Sequence, residues 1–177
     1  MEKLPEPLIR LLEHAERTGG PVVADFRASA SLQQDLIKWF HGDRKMARQF
    51  GAFGIDGKHA LYALWFHRGV APEQAPVVCL GADGGDSAVV AGDVQSFLSL
   101  LAAGDGKGEG EVHGLQAFRA WLKAELGLSP ASDPAALVKK AQDAHPDLEA
   151  IVDEWSETNA TEEGPSAEGW APLRLPK

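Results

Sequence analysis

The chain has 177 residues and 18.9 kDa, room for one domain of ordinary size plus a small helical appendage, and its 44% hydrophobic and 24% charged residues exclude wholesale disorder and fibrous repeats. The longest apolar run, Ala60 to Phe66, is far short of the ~20 residues a bilayer crossing needs, and the N-terminus lacks the basic start and apolar core of a secretory signal, so no membrane association and a cytoplasmic location are expected. The net charge of −9 is uneven: residues 1–103 hold 12 acids and 10 bases, residues 104–177 hold 14 and 7, and from Asp147 to Glu163 there are seven acids and no Lys or Arg, which argues against direct nucleic-acid binding.

Leu4, Leu8, Leu11, Leu12 and Ala15 recur at helical spacing and are closed by Gly19-Gly20, which predicts an amphipathic first helix. Pro21 to Phe26 reads as a short strand, and Ser31 to Phe40 as a second helix with Leu32, Leu36, Ile37 and Phe40 inward. A basic cluster follows, Arg44, Lys45 and Arg48. The Asp56-Gly57 pair then predicts a hairpin turn, because glycine is free to take positive φ. His59 to His67 is apolar on both alternating faces and predicts a central strand covered on both sides. Pro76–Gly81 and Ser87–Ala91 read as two more strands, joined by the turn-rich stretch Ala82–Asp86.

Asp93 is a good helix cap, and Val94, Phe97, Leu98 and Leu101 make a helical stripe that ends at Gly104. Residues 104–110 alternate glycine with charge and can bury nothing, so a loop or linker is expected. Three further stripes predict helices: Leu115, Phe118, Trp121, Leu122 and Leu126 before Gly127; Leu137, Val138, Ala141 and Ala144 after Ser132-Asp133-Pro134; then Leu148, Ile151, Val152 and Trp155. Ser156 to Lys177 reads as an irregular tail whose Trp170 and Leu173 could dock back. The expected organisation is an α+β domain over 1–104, a helical C-terminal extension over 105–156 packed on the same body, and a tail over 157–177.

The residues point to no catalytic constellation. Cys79 lies within Val77-Val78-Cys79-Leu80 and reads as a small core side chain; a lone cysteine also excludes an internal disulfide and a multi-cysteine metal site. His59 and His67 would stand roughly 26 Å apart on one strand, too far to share an ion. No Gly-x-Ser-x-Gly elbow or Walker-type phosphate loop occurs. Asp83 and Asp86, with their glycines, suit a tight strand connection better than a calcium loop. No metal or cofactor is expected.

Taken in order, Phe50-Gly51-Ala52-Phe53-Gly54-Ile55-Asp56-Gly57, the strand Ala60–Trp65, Pro76–Gly81, and Val89-Val90-Ala91-Gly92-Asp93-Val94-Gln95-Ser96-Phe97-Leu98-Ser99-Leu100-Leu101 resemble the SUKH superfamily, which includes bacterial immunity proteins and a fungal cell-wall-assembly regulator. The shared pattern is an aromatic-Gly-x-Asp-Gly element entering a strand, a strand ending in a short turn, and a Phe-x-x-Leu-Leu-like helix, over about residues 45–103. The N-terminal signature usual in that family is not evident around Pro21–Ala30, and the helices after Gly110 are an extension to which no family equivalent is assigned. The resemblance implies an α+β fold, with a mostly antiparallel sheet of about four to six strands and helices packed on it, that binds another protein without catalysis, such as a toxin of the nuclease kind.

A nuclease site is basic because it holds phosphates, so an acidic surface can be steered onto it and block it. The candidate partner-binding residues are Asp83 and Asp86 in the strand turn, and Asp147, Glu149, Asp153, Glu154 and Glu157 on and beside the last helix. The competing readings are a regulatory scaffold docking through its C-terminal helices, and a small enzyme or ligand-binding domain with a site near Trp65, His67, Arg68 and His41.

Overall fold

The computed structural model describes residues 4–82, 87–104 and 114–162, and the chain divides into two units, Met1–His145 and Pro146–Lys177. In the first unit, five short strands form an antiparallel sheet in the order β1-β2-β3-β4-β5: Arg27–Ala28, Phe50–Ile55, Leu61–Trp65, Val77–Leu80 and Ser87–Ala91. The helices of this unit are α1 (Glu6–Thr18), α2 (Gln33–Trp39), α3 (Arg44–Ala47), α4 (Val94–Ala103), α5 (Leu115–Leu126) and α6 (Pro134–Ala144). The architecture is α+β.

Side-chain alternation decides what each sheet face meets. Leu64, Val77 and Ala91 point to one face, where they join Leu8 and Leu11 of α1, Phe97 and Leu98 of α4, and Phe118 and Leu122 of α5 in one buried cluster. Trp65, Phe50 and Phe40 occupy the other, as a stack with ring centroids 6.3 Å apart for Phe50–Trp65 and 5.3 Å for Phe40–Phe50. There Gln33 of α2 ties the layers, its amide donating to the carbonyls of Ala47 and Phe50 and accepting from the Ala52 N–H. Central β3 is thus buried at Leu61, Ala63, Leu64 and Trp65. Gln142 of α6 donates to the Val89 carbonyl and so covers part of the β5 edge.

Several local expectations change. Residues 21–26 are a tight turn and not a strand: the Val22 N–H donates to the Phe26 carbonyl, the Phe26 N–H to that of Val23, and Ala24 has φ +52°. The strand begins only at Arg27, where β2 supplies a partner. The stretch after Gly42 forms α3, capped by Asp43, whose carboxylate accepts from the Met46 N–H. His59 (φ +66°) lies in the β2–β3 turn and His67 in a 3-10 turn, so neither belongs to the strand. The positive φ of that turn falls on His59 rather than on Gly57.

The second unit contains α7, Leu148–Glu162, which continues six residues past Ser156, where an irregular tail is expected. Among the described residues, no helix is long and apolar enough to cross a membrane.

Candidate functional site

On a helix of 3.6 residues per turn, Glu149, Asp153 and Glu157 follow one another at i, i+4 and i+8 and rise along one row, about 6 Å per step. Glu154 stands beside that row. Leu148, Ile151, Val152 and Trp155 fall on the opposite side of α7, which therefore has an apolar and an acidic face with no Lys or Arg anywhere in it. All four of these acids are exposed, whereas Asp147, just before the helix, is partly buried. Asp83 and Asp86 lie outside the described residues. The structure thus brings Glu149, Asp153, Glu154 and Glu157 onto one surface.

The aromatic alternative resolves differently. Trp65 is fully buried, its ring stacked at 4.1 Å on His67 and, on the core side, on Phe50. Its indole Nε1 is buried without a hydrogen-bond partner. His41 follows Phe40 of the same stack and has φ +54°. These residues line a packed aromatic column; they wall neither of two concavities found elsewhere in the first unit.

Of those two, the larger is an open groove of about 540 Å³ between α4 and α6, lined in part by Ser99, Asp133, Leu137 and Lys140. Its one carboxylate is engaged in capping α6, where Asp133 accepts from the Ala136 N–H at 3.1 Å. The smaller is a cleft of about 280 Å³ between the 23–26 turn, the β2–β3 turn and the C-terminal end of α4. It holds two carboxylates, Asp25 and Asp56, and the single tyrosine, Tyr62.

Asp56 Oδ1 accepts from the N–H groups of Lys58 and Ala60 at 2.9 and 3.0 Å, and Oδ2 accepts from the Tyr62 hydroxyl at 3.2 Å. Burial, first of all, holds the Tyr62 pKa far above its ordinary value near 10; the neighbouring Cys79 and Asp56 add to it by charge and hydrogen bonding. Tyr62 therefore stays a donor. Asp25 is exposed and makes no hydrogen bond or ion pair among the described residues. Its carboxylate packs against Gly57: a Cβ there would come within 2.5 Å of Asp25 Oδ2.

Sequence reasoning missed this cleft. Asp56-Gly57 was legible as a turn, but only the left-handed Ala24 brings Asp25 round to face it, and no motif announces an alanine at positive φ. A cluster of three or more metal-ligating side chains does not occur among the described residues. Comparison with family models, with curated proteins and with solved structures gives no match to this chain.

Proposed function

We propose that the chain is a non-catalytic protein-binding module that receives a basic partner on the acidic face of α7, acting in the cytoplasm as an immunity protein of the SUKH kind against a nuclease-like toxin. The observation that carries this reading is the exposed row Glu149, Asp153 and Glu157, set opposite an apolar stripe and free of any basic residue within the helix. The second unit has eight acids and two bases, against 18 and 15 in the first, so most of the net charge belongs to 32 residues. A concentrated field of one sign raises the encounter rate with an oppositely charged protein and disfavours like-charged ones. The order of the motifs from Phe50 to Leu101 supplies the family part of the proposal.

The test begins with the genes beside this one. A secreted protein ending in a basic toxin domain is expected there, and its absence removes the immunity version. That toxin domain, co-expressed with the chain, should be neutralised by the wild type and not by Glu149→Lys/Asp153→Lys/Glu157→Lys. Equal protection by both proteins would show that the α7 face is not the one used.

A further inference from the structure

The cleft between the 23–26 turn, the β2–β3 turn and α4 combines features that together select a ligand. It carries two carboxylates on adjacent turns, one of them without a partner. Its other walls include Phe26, Tyr62, Leu100 and Leu101. The two aromatic walls pack edge-on, with Phe26 5.3 Å from Tyr62, and Phe26 is backed by the buried Phe97 at 5.6 Å, centroid to centroid. We propose that this cleft is a binding site for an arginine side chain presented by a protein partner.

Charge sets the sign of the ligand. Asp25 and Asp56 both line the cleft, with the Asp25 carboxylate packed on Gly57, the residue after Asp56, and two like charges at the mouth of a cleft favour a cation between them. The walls set its kind. A hard metal ion asks for about six oxygen ligands, and this cleft offers two carboxylates and a phenol that is already donating to one of them. A guanidinium on an aliphatic stem suits the same surroundings, because it can form paired hydrogen bonds to carboxylate, lie over an aromatic ring, and leave its methylenes against leucine. Size agrees: about 280 Å³ is just below the roughly 300–1,000 Å³ typical of clefts for drug-sized ligands, so one side chain is the fitting occupant.

The roles of the two acids differ. Asp56 is fixed by two backbone donors and Tyr62, so its Oδ2 is held in place with a lone pair to spare. Asp25 sits on a turn whose alanine is left-handed, and its free carboxylate closes the other side. The site shares no residue with α7, and the inference does not depend on the acidic helix being an interface.

The experiment is an amide NMR titration of the full chain with N-acetyl-arginine amide, compared with the uncharged N-acetyl-citrulline amide. Saturable shifts at Ala24–Phe26, Asp56–Gly57 and Leu100–Gly104 are expected with the arginine compound and not with citrulline. Asp25→Asn, which keeps the shape, should weaken the arginine compound roughly tenfold, as expected for one charge-assisted hydrogen bond. Equal shifts with citrulline, shifts confined to α7, or magnesium or calcium producing the same saturable shifts would overturn the proposal. The wild-type comparison decides the matter even if the variant folds poorly. Because the readout is local to the cleft, its failure leaves the α7 reading standing, and the converse holds.

Discussion

Tyr62 is the chain's one tyrosine, so its ionisation can be followed by ultraviolet absorbance with no other phenol contributing. Its pKa is raised in the folded state by burial and by its acidic neighbours. The stability linked to it is therefore complete below pH 10 and lost as pH rises beyond, because only the unfolded chain can release the proton there. Folded protein should show no tyrosinate signal until it unfolds in alkali, while protein in denaturant titrates near 10; a folded-state signal at pH 10 would contradict the partly buried Tyr62–Asp56 contact. His14 moves the other way: burial lowers its pKa, Arg17 adds to that, and Glu125 opposes it. Neutral His14 stacks on Trp121 at 4.5 Å, so its contribution is present above pH 6.5 and declines as acid protonates it, and His14→Phe should flatten thermal stability between pH 7 and 5. Two glycines separate cost from function. A Cβ at Gly54 would come within 2.5 Å of the buried Phe26 ring, so Gly54→Ala should destabilise by about 1–3 kcal/mol in urea unfolding. At Gly57 the nearest obstacle is the end of an exposed carboxylate, with Asp25 Cβ and Cγ at 3.1 Å behind it, so Gly57→Ala should stay folded with a small shift of the 23–26 turn, exposed at Ala24 and Asp25, that displaces Asp25 from the cleft.

At the scale of elements, the caps show why some segments declare themselves and others do not. Asp93 accepts from the Ser96 N–H at 2.7 Å and precedes the stripe Val94, Phe97 and Leu98, so signal and structure coincide in α4. Asp93→Ala should cost about 1 kcal/mol, measured by chemical denaturation, and a neutral outcome would mean the α4 packing alone holds its first turn. Strands β3 to β5 were legible as short apolar runs bounded by turn signals, whereas β2 was implied only as the first arm of the Asp56-Gly57 hairpin. β1 was not legible, since a two-residue ladder is specified by Ile55 and Gly54 across from it and not by its own composition. Four-residue α3 has no room for a stripe; its only local mark is Asp43, one acid among many. The same limit hid the cleft, whose walls come from residues near 25, 56 and 101, far apart in the chain and each with an ordinary local explanation. The acidic row of α7 was legible because spacing within a single helix is enough to place its acids together.

At the scale of the molecule, charge is distributed so that distance matters. Successive carboxylates in the α7 row rise by about 6 Å, less than the Debye length of about 8 Å at physiological ionic strength and more than the roughly 3 Å at 1 M salt. Under cellular conditions the row acts on an approaching protein as one charged strip, whereas in strong salt each carboxylate acts alone. An association governed by this strip should slow at least tenfold between low and high salt, with dissociation changing much less, because steering acts on the encounter and not on the packed contact. Replacing Glu149, Asp153 and Glu157 by Gln, Asn and Gln removes three of the eight acids of the second unit and leaves the apolar stripe intact, so circular dichroism should be unchanged. Stopped-flow association with the basic partner would then lose most of its salt dependence. If the neutralised chain keeps the wild-type salt slope, the steering field arises elsewhere, and the first unit, with its net charge of only −3, would have to provide it through a local feature such as the Asp25–Asp56 cleft.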